Sequence, residues 1–436
     1  MKIGVVSLMV AFLLLSTVIQ SCGVCRNDYK IESVTVPYHN LGTINDTAVT
    51  ISKNVDLNGG VCELPQGITL IFKGGLIKNG TLEGNGNRII YDKEPVFDHV
   101  TIKGEWVVPW ITTKMFAKLD DDNAIKNVFA LANSKINNKI IVEKGNYQVS
   151  VSKEKQACIT LSDNLELRLN GNIIIKPNAF ESYDIIRVTG KNVSISGSGS
   201  LRGDRDTHLG SVGEWGMGID IKNATDVTIK GLTITECWGD CIYIGQDSKN
   251  ITLENCKLDR GRRQGVSVTD ADGVVIRNCV ISNVQGTNPQ YAIDIEPNSG
   301  CKVDNVYIDC VTIQDCVGGV IVTKGSDRND SKKIGDVKIN NCNVNVLTKY
   351  PIRVKDCEKI IVTNCSIITN STKNIICVSG VSQVVIKNNK LFLKDRENSL
   401  IGCDVNNVSY KKGGAPIVVI GAEVKDIGNN KLNDEY

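Results

Sequence analysis

The sequence predicts an all-β solenoid, a stack of short parallel strands wound into coils. Three observations carry that prediction. One apolar phrase returns at a near-constant interval through the second half of the chain. Within each copy, apolar residues alternate with period two. An Asn stands at the same place in several copies, between two such runs.

The phrase is Val227-Thr-Ile229-Lys-Gly-Leu232-Thr-Ile234. It returns from Ile251, Val274, Val306, Val337, Ile360 and Val384, at steps of 24, 23, 32, 31, 23 and 24 residues. A period in this range marks a solenoid, whose coils pack only on their neighbours. Period-two alternation is strand geometry with one buried face. A coil of this length holds about three short strands. Asn255, Asn278, Asn341, Asn364 and Asn388 fall between strands. Asn tolerates left-handed backbone and bonds locally, so a ladder of Asn corners is expected. Cys256, Cys279, Cys342 and Cys365 each follow one of these Asn. Sixteen Cys in an exported chain would suggest disulfides, but repeated placement points to reduced, stacked core residues. The two long steps mark surface insertions, Ser282 to Gln290 and Lys324 to Gly335.

Composition agrees. The 436 residues are 41% hydrophobic and 22% charged, a globular balance. Aromatics are only 5%, while Val, Ile, Asn, Gly and Thr recur, which suits strands and turns. A net charge of +2 gives no pull toward phosphate backbones, so nucleic acid is not an expected partner. No Cys-x-x-Cys pair with matching His spacing occurs past residue 25, so no metal site is expected.

Lys2, an apolar run from Ile3 to Ile19, and then Gln20-Ser21-Cys22 read as a secretory signal over residues 1–21. Ile19-Gln20-Ser21-Cys22 resembles a bacterial lipobox, which implies a lipidated Cys22 and a cell-envelope anchor. A plain secretory peptide with an incidental Cys is the alternative. No later run reaches the roughly 20 apolar residues that span a bilayer. Residues 22–117 read as a β-rich capping region or first coils, and 118–436 as the solenoid. A monomer is expected.

Asp121 and Asp122 favour a helix start, and Ile125, Val128, Phe129 and Leu131 have near-helical spacing. That segment leads into Lys139-Ile-Ile-Val-Glu-Lys-Gly-Asn-Tyr147. Acidic pair, short helix and a strand ending in Gly-x-Tyr resemble the opening of the pectate-lyase-like superfamily. The resemblance spans about residues 118 to 400. It implies an all-β, right-handed parallel β-helix with an N-terminal helical cap that covers the strand edges of the first coil.

One strand per coil aligns on an inward apolar pair: Ile219/Ile221, Ile242/Ile244, Val266/Val268, Ile293/Ile295, Val320/Val322 and Ile352/Val354. The residue inside each pair faces outward. That column reads Asp220, Tyr243, Ser267, Asp294, Ile321 and Arg353, with Arg187 one coil earlier. The next outward column carries Lys222, Thr269, Glu296 and Lys355. The column before, Gly218, Cys241, Gly265, Ala292 and Gly319, is small and is expected to floor a groove.

Asp294 and Glu296 are the first catalytic candidates. As an i, i+2 pair they lie roughly 6.5–7 Å apart along the strand. That is near the low end for an inverting glycosidase, which needs an acid and a base flanking a water. Like charge at this range raises one pKa. A pair salt-bridged to Arg353 or Lys355 is the structural alternative. Trp238-Gly-Asp240-Cys-Ile-Tyr-Ile-Gly, one coil before Arg262-Arg-Gln-Gly-Val-Ser-Val, is similar to two neighbouring stretches of the polygalacturonase family. The resemblance makes Asp240 a third catalytic carboxylate and sets Gln264 where that family has His. It aligns Arg353 and Lys355 with a substrate-binding Arg-Ile-Lys. Gly239 replaces one acidic residue of the family pattern.

The loop from Gly203 to Met217 carries His208, Glu214 and Trp215, and is expected to overhang the groove. Trp215 and Trp238 either stack on sugar rings or anchor the loop. His208 is a candidate acid/base or substrate-binding residue. Arg262 and Arg263 suit planar carboxylates or sulfates, which points to an acidic glycan. Asp220, Tyr243, Arg262, Arg263, Gln264, His208, Arg353 and Lys355 thus make the expected substrate-binding set. Three classes stay open: a glycoside hydrolase, a lyase on a uronate polymer, and a non-catalytic carbohydrate-binding surface protein. The hydrolase needs no cofactor. The lyase would take its base from Arg187, Lys222, Tyr243 or Arg353, and would use Ca²⁺ held by Asp294 and Glu296.

Overall fold

The computed structural model describes residues 48–117, 122–154, 156–325, 332–369 and 376–394, with three short strands beyond. The signal segment and Cys22 lie outside the described residues, as does part of the second insertion (326–331). No helix among the described residues is long and apolar enough to cross a membrane. The chain forms two compact units. One comprises Met1–Val149 with Asn164–Gly171, and the other comprises Ser150–Asp163 with Asn172–Tyr436.

The first unit is built on parallel strands. Thr69–Phe72 pairs with Ala48–Ile51 and with Ile77–Tyr91, which pairs in turn with Phe97–Val107. Inward Phe72 and Phe97 meet edge to face, ring centroids 5.6 Å apart. The expected helix forms at Asp122–Ala130 and the strand after it at Asn138–Val142. A helical cap, however, is not evident. Ile125, Val128 and Leu131 are fully buried, and the helix packs on Phe97–Val107 and Asn146–Val149 of its own unit. Asn127 fastens it there. Its Oδ1 accepts from Ile102 N at 3.0 Å and its Nδ2 donates to Val100 O at 2.9 Å.

The second unit is a parallel β-helix of three sheets. The repeated phrase is one rung of the second sheet. Val227 aligns with Ile251, then Val274, Val306, Val337, Ile360 and Val384. Each sequence step is therefore one turn of the coil, about 4.8 Å along the axis. The third sheet stacks Ile234, Leu258, Ile281, Ile313, Val344 and Ile367 in the same way. The first sheet stacks the inward pairs in the register read from the sequence, from Ile219/Ile221 to Ile352/Val354. These three apolar columns fill the core, with the members of the first-sheet pairs at 0% exposure.

The Asn corners have the expected backbone. Asn255, Asn278, Asn341, Asn364 and Asn388 take φ of 55°, 54°, 54°, 58° and 56°. Gly231 and Cys310 occupy the same corner in the remaining coils. The side-chain ladder is direct at Asn388, whose Nδ2 donates to Asn364 Oδ1 at 3.4 Å. Asn341 and Asn364 donate instead to Asp309 and Asn340, at 3.3 and 2.9 Å. The Cys column is buried and free of disulfides, as expected. The thiols donate to backbone carbonyls, Cys256 to Glu254 O at 3.4 Å, Cys279 to Arg277 O at 3.3 Å, Cys342 to Asn340 O at 3.1 Å and Cys365 to Thr363 O at 3.2 Å. At the far end the strands turn antiparallel. Val418–Ile420, Val408–Lys411 and Leu400–Val405 pair with the last strands of the three sheets, occupying edges that would otherwise be open.

Candidate functional site

The site lies on the outer face of the first sheet, from Ser182–Val188 to Tyr291–Ile295. A cleft of about 340 Å³ opens there. Its position depends on one departure from strict alternation. Gly218, Gly265 and Gly319 do not floor the groove. A Cβ on Gly218 would stand 2.5 Å from Ile234 Cγ2, and one on Gly265 would stand 2.5 Å from Ile281 Cγ2. Both partners are core residues of the third sheet. Cys241 and Ala292, in the same column, are fully buried. The strands bend on entry, so two consecutive residues point inward, and from Gly218 onward the first of them is small where the core leaves little room. The residue before it points outward instead. This brings Asp184 and Met217, in register with each other, into the cleft wall. Asp240 and Gln264 hold the equivalent place in the next two coils, through the Gly218 N to Asp240 O and Cys241 N to Gln264 O bonds, each 3.1 Å.

Asp294 faces the cleft and is 3% exposed. Its Oδ2 accepts from Gln264 Nε2 at 2.6 Å, while its Oδ1 has no hydrogen-bond partner. Burial, and then the Glu296 charge, push its carboxyl up to about 8, with Arg263 opposing. Gln264 is itself fully buried, and its Oε1 accepts from Tyr291 N at 2.8 Å. That bond takes the acceptor end of the amide, so only the donor end can face Asp294. Glu296 lines the cleft two residues on.

Asp240 does not reach the cleft. It is fully buried, and it accepts from Arg263 Nη1 at 3.0 Å and Ser267 Oγ at 2.7 Å. Burial holds its carboxyl above the ordinary range, against the pull of Arg263 and Ser267. Arg263 and Ser267 do line the cleft. At the other end, Asp184 accepts from Arg187 Nε at 2.7 Å. Burial and the neighbouring Asp220 push Asp184 up to about 8 as well. Asp220 pairs with Lys222, and with Arg187 at 3.9 Å. Between the two ends, the Tyr243 hydroxyl is held by Thr269 Oγ1 at 2.7 Å and Asn298 Nδ2 at 3.1 Å.

The remaining expected residues separate. The His208 side chain is buried, with Nδ1 2.9 Å from Asp204 Oδ2 and its ring stacked on Trp238 at 3.9 Å. Arg262 covers the opposite role in that stack, 3.5 Å from the Trp238 ring centroid, and donates to Gly213 O and Trp238 O. His208, Trp238 and Arg262 therefore anchor the loop; they do not line the cleft. Trp215 is 45% exposed and does line it. Arg353 faces Tyr350 at 5.3 Å, and Lys355 stands 3.9 Å from Asp356. Neither forms an ion pair with Asp294 or Glu296 among the described residues. No cluster of three or more His, Cys, Asp or Glu suited to a metal ion occurs among those residues either. Asp184, Asn298 and Lys332 are cleft residues that reading the sequence misses. Strict alternation from Ile186 puts Asp184 on the inward face, and only the bend turns it outward to the cleft.

The parallel β-helix itself is the class of protein that the fold defines. Residues 182–334 match the family model described as the right handed beta helix region. The resemblance to the pectate-lyase-like superfamily holds at the level of the fold. Two proteins of Bacillus subtilis (strain 168) are similar in sequence. The SPbeta prophage-derived uncharacterized protein YorA is 32% identical over 222 residues, covering 43% of this chain and 37% of that one. The uncharacterized protein YclG is 31% identical over 217 residues, with the same coverage of 43% and 37%. The match therefore spans about 37% of the length of either relative. Among solved structures, the A-module of the Azotobacter vinelandii mannuronan C-5 epimerase AlgE6 is similar with TM-score 0.49 and 16% identity, covering 64% of this chain and 84% of that one. The tailspike protein gp49 of Acinetobacter baumannii bacteriophage Fri1, a capsular polysaccharide depolymerase, gives 0.47 and 15%, covering 66% and 56%.

Proposed function

We propose that the cleft hydrolyses an extracellular polysaccharide, with Asp294 as general acid and Glu296 as the base that activates water. The observation that carries this reading is the state of Asp294. It is a buried carboxyl in an open cleft, without a direct cationic partner, pushed up to about 8. Such a group still holds its proton at neutral pH, as a general acid must. An i, i+2 carboxylate pair at roughly 6.5–7 Å suits inversion at the anomeric carbon. Asp240 acts as a positioning residue. Its two bonds fix the Arg263 guanidinium and the Ser267 hydroxyl at the cleft wall. Arg263 and Lys222 give the cleft cations for an acidic glycan.

The lyase reading needs a base with a free lone pair. Lys222 and Arg187 are engaged in ion pairs with Asp220 and Asp184. This favours hydrolysis. Export and lipid anchoring at Cys22 belong to the same proposal, since a polymer-cleaving cleft is useful only where the polymer is.

The mature chain, from after Cys22, is tested on pectins, glycosaminoglycans, alginate and host glycans, with and without Ca²⁺. New reducing ends without an unsaturated-uronate absorbance are expected. Both signals rising together would replace hydrolysis by β-elimination. Binding without product would make the chain a carbohydrate-binding surface protein.

A further inference from the structure

Two cleft aspartates carry buried carboxylate oxygens without a hydrogen-bond partner, Asp294 at Oδ1 and Asp220 at both oxygens, and of these Asp220 Oδ2 has ion-pair contacts. Asp220 is 1% exposed and lines the cleft. Its contacts with Lys222 and Arg187 both fall on Oδ2. A buried acceptor left without a donor is costly, and native structures rarely leave one unless a ligand or water completes it. The two residues stand in one column. Asp220 is in register with Tyr243, Tyr243 with Ser267, and Ser267 with Asp294. Three strand steps separate them, about 14 Å at the usual spacing. Tyr243 lies between, half-buried, with its hydroxyl tied on two sides, so its ring is a fixed apolar surface. A pyranose ring offers hydroxyl donors at its edge and C–H groups on its face, which matches an orphan acceptor beside a fixed aromatic ring.

We propose that Asp220 and Tyr243 form a distal sugar subsite, about three strand steps from Asp294. Asp220 Oδ1 accepts a ring hydroxyl there, and the Tyr243 ring carries the adjoining face. The subsite rests on the carbohydrate reading above and adds to it a requirement for chain length. A ligand must bridge the steps from Asp294 to Asp220 to gain this contact, so long oligosaccharides gain and short ones do not. Lys222 pairs with Asp220 Oδ2 and stands 5.9 Å from the Tyr243 ring centroid, which leaves Asp220 Oδ1 as the open acceptor.

The test uses the full mature chain carrying Asp294→Asn, so that binding is read without cleavage. Size-graded oligogalacturonates, alginate oligomers and hyaluronan oligomers, from dimers to octamers, are titrated calorimetrically. Affinity is expected to rise about tenfold or more between dimer and tetramer or longer, one strong hydrogen bond plus stacking. Adding Asp220→Asn should remove most of that rise and leave dimer affinity unchanged. Tyr243→Leu, which keeps Asp220 and its ion pairs, should blunt the same rise and guards against a fold defect in the first variant. Length-dependent binding that neither variant alters overturns the subsite while leaving the carbohydrate reading in place. No binding of any oligomer overturns both.

Discussion

Asp294 is where chemistry and stability oppose each other. Its carboxyl is raised from the usual value near 4 to about 8. The sign follows from proton counts. Below about pH 4 the group is protonated folded and unfolded, and costs nothing. Between about 4 and 8 the unfolded chain releases the proton while the folded chain keeps it, so stability falls as pH rises; above about 8 the loss is constant. Asp184, also raised to about 8, adds in the same direction. Asp294→Asn should therefore flatten the melting temperature against pH over this window and stabilise the protein most at high pH. The same variant should lose about a hundredfold or more in cleavage, the usual scale for a general acid. Wild-type cleavage should fall as pH rises through about 8, as the acid loses its proton. Gln264 is the second informative residue. Gln264→Leu would leave Asp294 Oδ2 and the Tyr291 amide without partners. A loss of about 1–3 kcal/mol in chemical denaturation is expected for each orphaned group.

The coil corner sets the scale of the element. Asn278 sits at φ 54°, in the left-handed region, where other side chains meet their own backbone. Asn278→Ala should cost about 1–2 kcal/mol, and Asn278→Gly much less, as read by urea unfolding. The corner was legible in the sequence because Asn recurs there. The strand bend at the entry to the first sheet was not. Gly218 and Gly265 look like a groove floor by period-two counting, yet each faces the third sheet. The same bend turns Asp184 toward the cleft, and nothing in Ser182-Tyr-Asp-Ile-Ile-Arg187 announces it. The loop with His208 repeats the point. Its polar residues suggested a groove lid, but Trp238 and Arg262 clamp His208 into a stack.

The whole molecule carries the repeat as its organising rule. Residues 251–273 are one turn, since Ile251 and Val274 are successive rungs. Deleting that whole turn joins two coils in register. The shortened chain should fold with the same circular dichroism, yet lose activity with Arg263, Gln264 and Ser267. Deleting half a turn shifts a buried face into solvent and should abolish cooperative unfolding. The sequence by itself determined the solenoid, its register, the Asn corners, the stacked Cys and the Asp220–Tyr243–Ser267–Asp294 column. All of these repeat, and repetition makes a local pattern global: once one rung is placed, neighbours follow at the same step. Only the tertiary structure decided which charged residues share the cleft, which are sealed beneath it, and which acceptors lack a donor. Those outcomes depend on a bend that breaks the alternation and on side chains meeting across coils, where no period in the sequence records the distance.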